Sequence, residues 1–155
     1  MTEPEVGRDG RHTRIRVAAI IIENAEILLV QHHKGGKKYW LLPGGGVDYG
    51  ESLVDALVRE MKEETNLDIE AGRLLFVNDS IPPDDHRHVV NVYFECNITG
   101  GRIAKEEDSI VCDVRFMPLA RFPELTVYPD IRKQILREFK EDFRSCRIYL
   151  GNLWK

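Results

Sequence analysis

The stretch from Ser52 to Asn66 constrains this chain more than any other. It opens with Ser52-x-x-Asp55, a capping-box pattern, and carries Leu53, Ala56 and Leu57 at helical spacing. Its first two turns are therefore expected to form an amphipathic helix packed on a core. Continued from Leu53, the same i, i+3, i+4, i+7 stripe meets Glu60, Glu63 and Glu64, so three carboxylates share a face that began as core. Like charges at this spacing cost an exposed helix roughly 0.2–0.5 kcal/mol per pair, and more where burial lowers the local dielectric, unless a cation lies between them. A divalent metal ion is the simplest such cation. Pairing with Arg59 and Lys62 on a solvated face is the alternative.

Ahead of this helix stand Gly44-Gly45-Gly46, then Gly50 and Glu51. Consecutive glycines allow positive φ and close backbone approach, so a loop is expected here whose N–H groups cradle a phosphate near the helix start. Gly45, five residues, Glu51, seven residues and then Arg59-Glu60-Met61-x-Glu63-Glu64-x-Asn66-Leu67 together resemble the 23-position signature of the Nudix hydrolases. These enzymes cleave nucleoside diphosphates linked to another group. Trp40-Leu41-Leu42-Pro43, just before the glycines, also suits that family. Asn66 departs from it, standing where the family usually has glycine; asparagine is the next-best residue for a left-handed helix C-cap, so the turn is expected to survive.

The resemblance implies an α/β (α+β) fold, an α/β/α sandwich with a mixed, partly antiparallel sheet between the signature helix and a C-terminal helix. The short, irregular strand spacing and only two convincing helices argue independently against a doubly wound parallel fold. For chemistry the expectation is metal-assisted hydrolysis of a phosphoanhydride with Mg2+, or Mn2+ in its place. Glu60 and Glu64, four residues apart, point the same way and are the expected principal ligands, Glu63 can hold a second ion, and the Gly44 carbonyl completes the shell as related proteins suggest. Arg59 is expected to orient one of these carboxylates, and Glu51 to bind metal or brace the glycine loop. In the family a later acidic loop often supplies a further ligand or the base; Lys105-Glu106-Glu107-Asp108 offers Glu106 and Glu107, with Glu107 taken as the catalytic candidate.

Substrate-binding candidates are Gly45, Gly46, Trp40, Pro83 and His86. Family members that hydrolyse ADP-ribose tend to carry a proline fifteen or sixteen residues past the signature, and that count from Leu67 reaches Pro82 and Pro83. ADP-ribose or a related nucleotide sugar, cleaved to nucleoside monophosphate and sugar phosphate, is accordingly the leading substrate. The alternatives are a nucleoside triphosphate cleaved to monophosphate and pyrophosphate, and a Nudix module that binds nucleotides without hydrolysing them.

The remaining sequence sets the frame. With 155 residues, 43% hydrophobic and 31% charged, it suits one globular domain over residues 14–155 behind a flexible tail at 1–13. A net charge of −4 leaves no basic footprint for nucleic acid. The longest apolar run, Val17 to Ile22, is far too short to span a membrane, and the first dozen residues lack the apolar stretch of a signal peptide, so a cytoplasmic location is expected. Cys96, Cys112 and Cys146 are odd in number and widely spaced, hence read as reduced thiols, the first two buried. Strands are expected at 14–22, 27–32, 73–78, 89–98 and 113–119, with a basic flexible loop at 34–38, a polar loop at 79–88 and a turn at 99–102. Pro129 is expected to open a helix over 130–143. The apolar tail 147–154 either adds a strand or packs on a second copy, which makes a homodimer a candidate assembly.

Overall fold

The computed structural model describes residues 11–107, 109–144 and 147–154; most of the expected tail (1–10), Asp108 of the acidic loop and Cys146 lie outside them. The central strand β1 (Thr13–Ile20) carries the longest apolar run because both of its faces are covered. Val17 and Ala19 face one core with Leu57 and Met61 of helix α1 (Leu53–Thr65). Ala18 and Ile20 face a second core with Phe76, Tyr93, and Ile131 and Ile135 of the helix α2 region. Helix α2 itself spans Arg132–Phe139. A helix on each side of strands that alternate between two cores is the α/β/α arrangement expected from the sequence.

The sheet is divided in two. β1 lies between β5 (Gly44–Gly46), antiparallel to it, and β7 (His88–Gly101), parallel to it; β6 (Leu67–Ser80) and β9 (Tyr149–Asn152) follow outward, giving the order β5-β1-β7-β6-β9. The second sheet holds β2 (Ile22–Glu23), β3 (Glu26–Lys34), β4 (Lys37–Leu41) and β8 (Val111–Pro118), all antiparallel. The chain crosses between sheets at Ile21: Ile20 still pairs with β7, whereas Ile22 already pairs with Ile27.

Several local expectations change. The basic stretch 34–38 is the tip of the β3–β4 hairpin: Lys34 pairs with Lys37, and Gly35 and Gly36 alone form the turn, both at positive φ as a type I′ turn requires. β6 begins directly after α1 and continues through Ser80, and β7 extends through Gly101, so the long strands consume much of the expected loop and turn. Helix α2 starts two residues later than expected, after Asp130 has turned its carboxylate onto the Arg132 backbone N–H and guanidinium. It stops at Phe139 because Asp142 and Phe143 adopt positive φ. Pro129 is therefore not its first residue. Cys96 is buried, Cys112 only half-buried, and both are free thiols. The apolar tail takes its strand alternative, β9, parallel to β6. Among the described residues no helix is long and apolar enough to cross a membrane.

Candidate active site

Helix α1 is fixed at both ends. Ser52 Oγ accepts from the Asp55 backbone N–H at 3.1 Å. Asn66 closes the C-terminus at φ 64, its backbone N–H donating to Lys62 O and its amide to Arg102 O at 2.8 Å. Ala56, Leu57 and Met61 bury one face, which fixes the rotation of the helix and aims Glu60 and Glu64 at the edge of β5.

The glycines explain how close that approach is. They form the edge strand β5 rather than a phosphate-cradling loop, and α1 starts seven residues beyond Gly46. A Cβ on Gly45 would lie 2.2 Å from Cδ and Oε2 of Glu60, and one on Gly44 would lie 1.9 Å from Val17 O. Only residues without a side chain let the strand pass between β1 and the acidic face of the helix. The Gly44 N–H, moreover, donates to Glu64 Oε1 at 3.0 Å.

Arg59 ties the carboxylates together. Its guanidinium donates to both Glu51 oxygens at 2.7 and 2.8 Å, to Glu60 Oε1 at 2.9 Å, to Glu63 Oε2 at 3.2 Å and to Gly46 O at 3.0 Å. The side-chain bond from Arg59, with the Asp48 N–H that Glu51 also accepts at 3.0 Å, holds the Glu51 carboxyl down at about 2. The same carboxylates raise the Arg59 pKa. Glu60 moves the other way. Desolvation by burial raises its pKa against the pull of Arg59, and Glu63 and Glu64 add to the rise. Glu51 thus braces the loop after β5, whereas Glu60 carries a charge that the fold disfavours.

Glu60, Glu63 and Glu64 border a cavity of about 160 Å³ together with Glu106, His32 and Ser109–Val111. The later acidic loop does reach the site, through Glu106; Glu107, the catalytic candidate from sequence, does not line this cavity. His32 went unnoticed in the sequence, although its place two residues beyond Val30 on β3 sets it on the α1 face. Among the described residues its buried Nε2 has no hydrogen-bond partner, and it stands 3.7 Å from Glu64 Oε2. Among the described residues no three acidic, histidine or cysteine side chains converge to grip one ion as they stand, and Arg59 lies among Glu51, Glu60 and Glu63. The donor chemistry nonetheless fits a hard divalent cation: carboxylates on successive turns, one of them disfavoured in its charged form, around a shared cavity.

A larger cavity of about 430 Å³ lies alongside, lined by Arg16, Tyr39, Leu41, Asn91, Tyr128 and Trp154 among others. Tyr39 links the two, packing edge-on against His32 (5.7 Å) and against Tyr128 (5.5 Å). Arg16 donates to Leu42 O at 2.8 Å, and its buried Nη1 has no partner among the described residues. None of these residues was a substrate-binding candidate from sequence, because their proximity depends on β1, β4, β7 and the C-terminal segment meeting in space. Of the sequence candidates for substrate binding, Trp40 packs against the α2-side core and Pro83 lines none of the cavities described here, whereas His86 lines a third. Gly45 and Gly46 lie in β5, beside the carboxylates.

A family model described as NUDIX domain matches residues 12–139. A protein of Methanocaldococcus jannaschii named ADP-ribose pyrophosphatase is 34% identical over 115 residues, covering 74% of this chain and 67% of its own length. A Bacillus subtilis protein named putative 8-oxo-dGTP diphosphatase is 31% identical over 137 residues, covering 88% of this chain and 86% of its own. Among solved structures, one titled as an ADP-ribose pyrophosphatase from Streptococcus suis aligns with TM-score 0.66 at 27% identity, over 92% of this chain and 98% of that one. The chain spans between 25% and 67% of the length of the first four curated relatives it matches.

Proposed function

This chain belongs to the Nudix hydrolase family and is an enzyme of its pyrophosphohydrolase class, and from that premise we propose that it performs Mg2+-dependent hydrolysis of a nucleoside diphosphate linked to another group, ADP-ribose or a related nucleotide sugar being the substrate. The products would be a nucleoside monophosphate and a sugar phosphate. The observation that carries this reading is the Arg59-centred set of carboxylates, with Glu60 pressed within reach of Gly45 and disfavoured as an anion by burial. The name of the Methanocaldococcus jannaschii relative supports the substrate class.

In this reading Glu60 and Glu64 would hold the divalent ion, Mg2+ or Mn2+, with Glu63 and the Gly44 carbonyl as further oxygen donors. Such an ion neutralises the diphosphate and lowers the pKa of water. The chain's own groups supply the rest. Arg59 fixes Glu51 and Glu60 in one orientation, and the Gly44 N–H fixes Glu64. Glu106 takes a proton from the attacking water, the role expected of Glu107 from the sequence; its position on the same cavity as the helix carboxylates supports this reading. The aromatic-walled cavity next to Tyr39 receives the nucleoside.

A second reading, hydrolysis of a nucleoside triphosphate to monophosphate and pyrophosphate, draws on the Bacillus subtilis relative, which this chain covers over most of both lengths. Products separate the two. Incubated with Mg2+ and a panel of ADP-ribose, nucleotide sugars and nucleoside triphosphates, the protein is expected to release AMP and ribose phosphate from ADP-ribose fastest. A preference for triphosphates with pyrophosphate release would establish the second reading. Tight nucleotide binding without turnover would leave a binding module.

The enzyme is proposed to be one domain from residue 14 onward, cytoplasmic, with a small-molecule nucleotide as its partner.

A further inference from the structure

The third cavity, about 520 Å³, differs in charge from the rest of this acidic protein. Arg11, Arg14 and Arg87 line it with His12, His86 and His88, and among the described residues Asp85 is the only carboxylate in its lining. Arg11 is engaged with Asp85 at 2.6 Å, His86 with Asp84 at 2.6 Å and His88 with Asp79 at 2.7 Å. Arg14 and Arg87 are different. Among the described residues neither has a carboxylate within ion-pair distance; Arg87 instead stacks over the Trp154 ring at 5.2 Å, and the Arg14 guanidinium reaches toward Gly46.

The cavity's position matters as much as its charge. Arg87 and its stacking partner Trp154 border the nucleoside cavity, and Arg87 borders the basic one as well. Arg14 and Arg16, two residues apart on β1, extend from the same face of the sheet, one into each cavity. A ligand seated against Tyr128 and Trp154 would thus present its far side to two arginines that, among the described residues, lack a counter-charge.

We propose that this basic cavity is an anion subsite that holds a phosphate monoester carried by the substrate at a point remote from the diphosphate that is cleaved. The ligand class is a nucleoside diphosphate derivative with an additional phosphate on its ribose. Arg14 and Arg87 supply the charge-assisted donors, Arg87 being oriented by its contact with Trp154. This rests on the nucleoside occupying the aromatic-walled cavity. It goes beyond that reading by naming a group that ADP-ribose lacks.

The test uses adenosine 5′-monophosphate and adenosine 3′,5′- and 2′,5′-bisphosphate as probes, titrated calorimetrically into the full chain without added metal. At least one bisphosphate is expected to bind about tenfold or more tighter than the monophosphate, as one charge-assisted contact allows. In Arg14→Gln and Arg87→Gln, both exposed positions whose substitution leaves the core untouched, that gap is expected to close. Equal affinity of all three probes for the wild type would overturn the proposal, as would a gap that persists in both variants. ADP-ribose turnover measured on the same wild-type preparation keeps the two claims apart. Its absence would defeat the proposed reaction and leave the subsite standing, whereas equal probe affinities would defeat the subsite and leave the reaction standing.

Discussion

Adding one methyl group at Gly45 should separate catalysis from folding in this protein. Ideal geometry puts an alanine Cβ there 2.2 Å from Cδ and Oε2 of Glu60, whereas carbon atoms in contact sit about 3.5 Å apart. The carboxylate must therefore retreat by roughly 1.3 Å, and it has room to do so, because it is the end of a flexible side chain beside a cavity. A misplacement of that size in a reacting constellation costs on the order of 100-fold in rate. Stability should change little, since no backbone atom is struck. Gly44→Ala offers the contrast: its Cβ would meet Val17 O at 1.9 Å and Ala18 Cα at 2.7 Å, both backbone atoms of the central strand. That substitution is expected to cost about 1–3 kcal/mol or more of folding stability, as overpacking does. Steady-state kinetics on the preferred substrate, beside urea unfolding of both variants, makes the comparison. Wild-type kcat in Gly45→Ala would refute the claim that Glu60 must occupy its place against β5, and a large stability loss there would show that the carboxylate cannot move aside.

Other consequences concern pH and caps. Burial raises the Glu60 pKa in the folded state, so the group's contribution is favourable below the unfolded carboxylate range and is lost as pH rises through the folded value; at pH 7 its charge opposes folding. Glu60→Gln should therefore abolish turnover while leaving the thermal midpoint at pH 7 equal to or above wild type, and a lower midpoint would contradict this. Glu51 has the opposite sign. Its carboxyl is held at about 2 from an ordinary 4.5 by Arg59, so its stabilisation is full above pH 4.5 and fades as pH falls toward 2. Urea midpoints of Glu51→Gln should lie below wild type at pH 6 and converge with it toward pH 2, and parallel curves would count against the pairing. At the end of α1, Asn66→Ala should cost about 1 kcal/mol, because alanine keeps a β-carbon at φ 64 but loses the amide that donates to Arg102 O, while Asn66→Gly, which also removes the β-carbon, should cost less. Equal loss in the two variants, measured by chemical denaturation, would assign the effect to the hydrogen bond alone.

What the sequence revealed, it revealed through local rules. The cap at Ser52, the left-handed Asn66 and the acidic stripe on α1 each follow from neighbours within one or two helical turns, and the structure bears them out. The glycines were harder. Their freedom from side chains was legible, but its purpose was to admit Glu60 and a strand edge, and only the pairing of β5 with β1 shows that. Glu106 and Glu107 are adjacent and alike, and the strand-to-strand path after β7 decides which one borders the carboxylates. His32, Arg16 and Asn91 were invisible for a related reason: each reads as an ordinary strand residue until β1, β3 and β7 are placed side by side. Pro129 misled because proline suits a helix start, yet Asp130 takes up the Arg132 N–H and defers the helix to Arg132.

The most direct measurement of the central claim is the turnover of Glu64→Gln beside wild type, on the substrate the wild type prefers, with Mg2+ and with Mn2+ and with circular dichroism of both proteins. Gln preserves the volume and can still accept the Gly44 N–H, so the fold should be retained. Losing a charged oxygen ligand should remove several kcal/mol of transition-state stabilisation, which is roughly a hundredfold to ten-thousandfold in kcat. A folded variant that turns over at the wild-type rate with either ion would contradict the account.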